Sequence, residues 1–168
     1  MNDQELENCM KKYRGSVFAA ALFYLKDPSE AEDVVQDVFF KLYTYGGSFR
    51  NEEHIKAWLI RCAINRSKNL LRSPWRRFSV PLEDVGDTSS YDNPEPGGEV
   101  FQMLKKLTRN NRITLYLYYY EGYSTEEIAK LLGISVIAVT SRLKRGRQQL
   151  RKLITDKRSA ENGTESIV

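Results

Sequence analysis

The chain has one histidine and two cysteines in 168 residues, and each shortage removes a class of chemistry. A Cys/His zinc site, or a Ser-His or Cys-His catalytic system, would have to be built on His54 alone, which weakens most hydrolase readings. Cys9 and Cys62 stand 53 positions apart without CxxC spacing, so a reducing cytosol fits better than a disulfide scaffold. No apolar run approaches the roughly 18–20 residues of a membrane span. The acidic start Met1-Asn2-Asp3-Gln4-Glu5 has no signal-peptide pattern, so direct membrane insertion is not expected. P-loop, paired-acid and Gly-rich phosphate motifs are also missing, and nothing calls for a cofactor, a metal or a small-molecule substrate. A non-enzymatic, cytoplasmic protein is the expectation.

Proline is scarce too, and clustered. Four of the five prolines (Pro74, Pro81, Pro94 and Pro96) fall in residues 74–100, with Gly86, Gly97 and Gly98. Such a stretch cannot propagate a helix and lacks apolar periodicity, so it reads as a flexible linker. The charge divides at the same place. The net +4 of the chain resolves into +1 for residues 1–72, −4 for 73–100 and +7 for 101–168. The expected fold is all-α: a helical domain over 1–73, an acidic linker over 74–100, a basic helical domain over 101–158 and a frayed tail over 159–168.

In the first domain, Leu6, Cys9, Met10, Tyr13, Val17, Ala20, Ala21 and Tyr24 recur at helical spacing. Asp27-Pro28-Ser29-Glu30 then starts a second helix, with Asp27 as cap and Pro28 at the first helical position. Ala31, Val34, Val35, Val38, Phe39 and Leu42 fall on one face of it, and Asp33, Gln36, Asp37 and Phe40 on the other. The second set is either a solvated face with a stray aromatic or a partner patch for a basic surface, and periodicity leaves both open. After Tyr45-Gly46-Gly47-Ser48, a third helix from about Asn51 to Arg72 has the core stripe Ile55, Leu59, Cys62, Ala63 and Leu70, with Trp58 at its edge. Arg61, Asn65, Lys68 and Arg72 form a separate stripe. It reads either as a solvated basic face or as three phosphate-binding cations around an amide that reads a base edge.

The last domain carries the most specific signal. Gly122 can end a helix that begins near Thr108, and the Tyr116–Tyr120 cluster within that helix reads as core. Ser124 and Glu127 make a capping box, Ala129 is small at a helix crossing, and Gly133 suits the turn. Ser135 can cap a following helix with Val139, Leu143, Leu150 and Ile154 as its buried stripe. The outer surface of that helix presents Ile137, Ala138, Ser141, Lys144 and Arg145, flanked by Arg142 and Arg147, as a recognition helix for the major groove would. Eight Lys or Arg against one acid between Thr140 and Arg158 continue the surface.

Three stretches together resemble the extracytoplasmic-function (ECF) sigma factors of the sigma-70 family. Ser29-Glu30-Ala31-Glu32-Asp33-Val34-Val35-Gln36-Asp37-Val38-Phe39 is similar to the D-A-E-D-x-x-Q-[DE]-x-F signature, and Trp58-Leu59 through Asn65 to Arg72 to W-L-x-x-I-A-x-N-x-x-x-D-x-x-R. Glu121 to Ser135 with Val139-x-Ser141-Arg142-Leu143 is similar to the fourth conserved region. The resemblance implies binding to core RNA polymerase. Asp33, Gln36 and Asp37, beside Phe40, would meet the β′ clamp coiled coil, and the last domain would touch the β flap. It also implies promoter DNA as partner. Asn65 would help hold a flipped −10 base, with Arg61, Lys68 and Arg72 on phosphates. Ser135, Ile137, Ala138, Ser141, Arg142, Lys144 and Arg145 would read the −35 duplex. Family members are often held inactive by an anti-sigma factor, which is therefore a candidate partner. The acidic linker would thread through polymerase, where its charge would mimic RNA.

Some positions depart from the family pattern. Thr108 stands where proline is usual, as an alternative cap, and Asn69 where aspartate is common. Ile137, Ala138 and Thr140 replace Gly, Thr and Lys beside the DNA-facing surface, and Ile137 could contact a thymine methyl. A helix-turn-helix regulator acting without core polymerase is the rival reading. It explains the last domain but neither the Gln36-Asp37 face nor the Asn65 stripe. A recombinase lacks any catalytic signature.

Overall fold

The structure is a computed structural model that describes residues 1–74 and 98–165. Most of the expected linker therefore lies outside the described residues. Among those described there are seven α-helices and no strand, and the chain divides into two compact units.

The N-terminal unit is a three-helix bundle of α1 (Asp3–Leu25), α2 (Pro28–Thr44) and α3 (Glu52–Arg72), each packed on the other two. Local chemistry sets each helix start and the end of α1. Asn2 Oδ1 accepts from the Glu5 N–H at 2.8 Å while Glu5 Oε2 accepts from the Asn2 N–H at 2.9 Å, a reciprocal cap on α1. Lys26 ends that helix in the left-handed conformation at φ 63° and returns its N–H to the Leu22 carbonyl. One residue on, Asp27 accepts from the Ser29 and Glu30 N–H groups at 2.9 and 3.1 Å, with Pro28 opening α2 as expected. Asn51 caps α3 through the His54 N–H, and His54 Nδ1 accepts from the Arg50 N–H at 3.2 Å. The lone histidine thus closes a helix start.

The core of this unit follows the periodicity. All six residues of the α2 stripe are buried, as are Cys9, Tyr13, Val17, Ala20, Ala21 and Tyr24 of α1 and Leu59, Cys62 and Ala63 of α3. Ile60 and Ile64 are buried as well, which widens the α3 stripe. Burial pushes both cysteine thiols above their ordinary range, so they act as small hydrophobes.

The C-terminal unit comprises α4 (Glu99–Lys105), α5 (Arg109–Tyr119), α6 (Thr125–Leu132) and α7 (Val136–Glu165), with α4 and α5 packed on α7. Four expectations change here. Thr108 stands at the N-cap, but its hydroxyl makes no cap bond. The start of α5 is held instead by the Thr108 carbonyl on the Arg112 N–H and by the buried Arg112 guanidinium, whose Nη1 donates to the Leu107 carbonyl at 2.9 Å. Burial and nearby Arg109 bring Arg112 down to about 10, so it stays charged at neutral pH.

Second, the tyrosine run is only partly core. Tyr116 is buried with its hydroxyl on Glu121, whereas Tyr119 and Tyr120 are 57% and 52% exposed. Five consecutive residues circle the helix, and one packed face cannot cover them all. Third, Val139 and Leu143 are buried, but Leu150 and Ile154 are only half-buried. They line an open groove with Leu104, Leu115, Tyr119, Tyr120, Arg147 and Arg151. Fourth, α7 runs on to Glu165 through the expected frayed tail, without proline to stop it and with Lys157 paired to Glu99 of α4.

The α5–α7 crossing is tight at Gly146, where a Cβ would lie 2.9 Å from Leu115 Cδ1 and 3.4 Å from Asn111 Cβ. Gly146→Leu should therefore destabilise the chain by about 1–3 kcal/mol through overpacking. Urea unfolding of the full chain, followed by helical circular dichroism, measures this.

Candidate nucleic-acid interface

On α2, the four residues expected to face away from the core do so. Asp33, Gln36, Asp37 and Phe40 are all exposed, Phe40 to 70%. Asp37 is also tied to α3, its Oδ2 accepting from Arg66 Nε at 2.6 Å. Tyr43 and Tyr45 continue the exposed aromatic surface toward the α2–α3 loop.

That loop was legible only as a helix break, yet it carries a ring cluster. Tyr45 and Phe49 lie with ring centroids 5.0 and 5.6 Å from Trp58 and 5.2 Å from each other, and Lys41 Nζ stands 5.7 Å from the Trp58 ring. Trp58 is half-buried at the edge of the bundle, and these contacts anchor the loop. Aromatics on both sides of Gly46-Gly47 were the available signal. On α3, Arg61, Asn65 and Arg72 are exposed and Lys68 is half-buried. Their spacing places the four along one side of the helix.

In the C-terminal unit two glycines shape the helix-turn-helix. Gly122 at φ 72° lets the Tyr123 N–H close on the Leu117 carbonyl at 3.1 Å, ending the turn after α5. Gly133 at φ 67° lets the Ile134 N–H close on the Ala129 carbonyl at 3.0 Å, ending α6. Ser124 and Glu127 make the reciprocal capping box of α6, at 3.2 and 2.8 Å. Ser135 Oγ then accepts from the Ala138 N–H at 3.1 Å and starts α7.

The first turns of α7 present the expected surface. Ser135, Lys144 and Arg145 are exposed, Ala138, Ser141 and Arg142 are half-buried, and Ile137 is 80% exposed. Ser141, Lys144 and Arg145 share a shallow hollow with Gln148, which sequence reasoning passed over although it follows at i+7 from Ser141. A glutamine there has the donor and acceptor needed to read an adenine edge. Thr140 donates its hydroxyl back to the Val136 carbonyl at 3.0 Å, so it does not stand in for the lysine it replaces.

Residues 9–77 match sigma-70 region 2, and residues 98–150 match sigma-70 region 4. The chain belongs to the sigma-70 family. It is 32% identical to the RNA polymerase sigma-H factor of Pseudomonas aeruginosa, over 85% of this chain and 82% of that protein. It is 30% identical to the ECF RNA polymerase sigma-E factor of Escherichia coli K12, over 88% and 86%. Among solved structures it is similar to the sigma factor RpoE of Bartonella quintana, crystallised with the anti-sigma factor NepR. That match has a TM-score of 0.72 and 25% identity, over 90% of this chain and 95% of that one. CnrH, solved with the cytosolic domain of CnrY, matches with a TM-score of 0.65 and 25% identity, over 92% and 90%.

This ECF sigma factor therefore works with core RNA polymerase to direct transcription from promoters, and the regulator without polymerase is not favoured. Sigma factors are regulators of transcription. Among the described residues no helix is long and apolar enough to cross a membrane.

The Ser135 cap lets folding be separated from surface charge at the start of α7. Ser135→Ala should cost about 1 kcal/mol of stability through loss of the cap. Ser135→Asp should keep the stability yet lower affinity for promoter duplex, if this exposed surface with Lys144 and Arg145 is the one that meets DNA, since it adds a carboxylate there. Thermal unfolding and duplex titration of the same two variants check the split.

Proposed function

We propose that the exposed α2 face of Asp33, Gln36, Asp37 and Phe40 docks on the β′ clamp coiled coil of polymerase. What carries this reading is Phe40, a 70% exposed aromatic ringed by acids and an amide on a face that packing does not use. An aromatic anchor with a polar rim suits a partner interface, and the acids suit a basic partner. On α3, Asn65 receives a flipped −10 base while Arg61, Lys68 and Arg72 hold phosphates of the melted strand. Unstacking one base costs a few kcal/mol, which those contacts offset. Ser135, Ile137, Ala138, Ser141, Arg142, Lys144 and Arg145, joined by Gln148, read the −35 duplex.

The groove on the C-terminal unit, with an apolar floor and the Arg147 and Arg151 rim, is the proposed seat of the β flap. Residues 1–73 form the polymerase and −10 domain, residues 101–158 the −35 domain, and 74–100 the acidic connection that threads through polymerase. The protein acts in the cytoplasm, on the nucleoid when active, and has no catalytic step of its own. An anti-sigma factor is the proposed regulator, since both similar structures were solved with a partner chain and one of those partners is an anti-sigma factor.

Runoff transcription with core polymerase on genomic fragments tests the reading. Discrete transcripts that require this chain are expected, and none would overturn it. Phe40→Ala should weaken core binding at least tenfold with an unchanged melting temperature, because the side chain is outside the core. Asn65→Ala should lower open-complex formation more than core binding, read by permanganate footprinting. Ile137→Gly should change the −35 preference more than general affinity, and a promoter library giving the same −35 logo for both proteins would remove Ile137 from the base-reading set.

A further inference from the structure

The groove of the C-terminal unit measures about 510 Å³, within the roughly 300–1,000 Å³ of small-molecule sites. Leu104 of α4, Leu115 of α5 and Leu150 and Ile154 of α7 give it an aliphatic lining. Its aromatic side is held by neighbouring contacts. Arg147 Nε donates to the Tyr119 hydroxyl at 2.7 Å, with its guanidinium over the Tyr118 and Tyr119 rings. Tyr120 stacks on buried Tyr116, with ring centroids 5.9 Å apart. The tight crossing at Gly146 fixes α5 against α7, so the groove is preorganised and little ordering opposes a ligand. Arg151 lies one turn beyond Arg147, about 6 Å along α7. It is exposed, and among the described residues it has no acidic partner. The only charged side chains that line the groove are these two guanidiniums.

We propose that this groove binds a free long-chain fatty carboxylate, with its alkyl chain along the leucines and Ile154 and its head on the Arg151 guanidinium. The lining selects the ligand class. Aliphatic side chains gain by covering methylenes and offer no polar partner to anything else. Arg151 supplies the one strong polar contact, since a planar guanidinium takes a carboxylate through two parallel N–H groups. Both cations stand on α7, a turn apart, which suits one anionic head at one side of an apolar tail. Arg147 is already engaged by Tyr119, so Arg151 is the cation left for the head. The same groove is the proposed seat of the β flap, so the bound acyl chain competes with polymerase. That consequence alone rests on the flap reading.

Calorimetric titration of the full chain with laurate, kept below its micelle concentration, tests the site. Saturable binding of one laurate per chain is expected. Decanoate, two methylenes shorter, should bind about four- to fifteenfold more weakly, at up to about fourfold per methylene. Arg151→Gln should weaken laurate binding about three- to fivefold and leave decanol binding unchanged. Ile154→Gln should weaken both about tenfold, with circular dichroism confirming that each variant is folded. Lys152→Gln removes an equal charge about 100° further around α7 and should leave laurate affinity unaltered. No saturable binding, equal affinity for decanoate and laurate, or the same loss in Lys152→Gln as in Arg151→Gln would overturn the site. Equal affinity for dodecyltrimethylammonium would overturn the anionic head. Core polymerase separates the two readings of the groove. Saturating laurate should weaken the core complex, and a complex unaffected by bound laurate overturns the flap seat while leaving the acyl site standing.

Discussion

Burial of the aliphatic stripe of α2 is the interaction on which the N-terminal unit depends. Ala31, Val34, Val35, Val38, Phe39 and Leu42 go into the space between α1 and α3, and this fixes the rotation of α2 about its axis. With that rotation set, Asp33, Gln36, Asp37 and Phe40 have nowhere to point but outward. A bundle of three helices has little core, so hardly any of the stripe is spare. Function is written on the faces that the core leaves over.

The C-terminal unit solves a different problem, that of aiming one helix. Gly122 and Gly133 both adopt left-handed backbone at the ends of their helices. A side chain at either position would strain the turn, because its Cβ crowds the carbonyl there. The serines that follow, Ser124 and Ser135, begin the next helices by accepting orphan N–H groups. Glycine stop and serine start, used twice, set the direction of α7 and carry Ile137, Lys144 and Arg145 to the outside.

Electrostatics then divides the labour. A net charge of +4 would be a poor indicator of nucleic-acid binding, but the −4 of residues 73–100 hides the +7 of residues 101–168. In the N-terminal unit the signs sit side by side, acids on α2 and cations on α3, joined where Arg66 meets Asp37. Such an arrangement suits the proposed docking of a basic partner on α2 and an anionic strand on α3.

The helices and the α2 and α6–α7 surfaces were legible because helical period, caps and turn glycines are local, and each can be read within one or two turns of chain. Asn51, Asp27, Ser124 and Ser135 act as caps within three residues of themselves. What the sequence alone determined was therefore that the fold is helical, where most helices begin, and which face of α2 the core leaves out. Only the tertiary structure decided the rest. It exposed Tyr119 and Tyr120 because α5 packs on one side only, opened a groove over Leu150 and Ile154, and gathered Tyr45, Phe49 and Trp58 from loop and helix. It also brought Arg66 to Asp37 across 29 residues of chain. These are contacts between elements, and no spacing within a single helix encodes which neighbour it will meet.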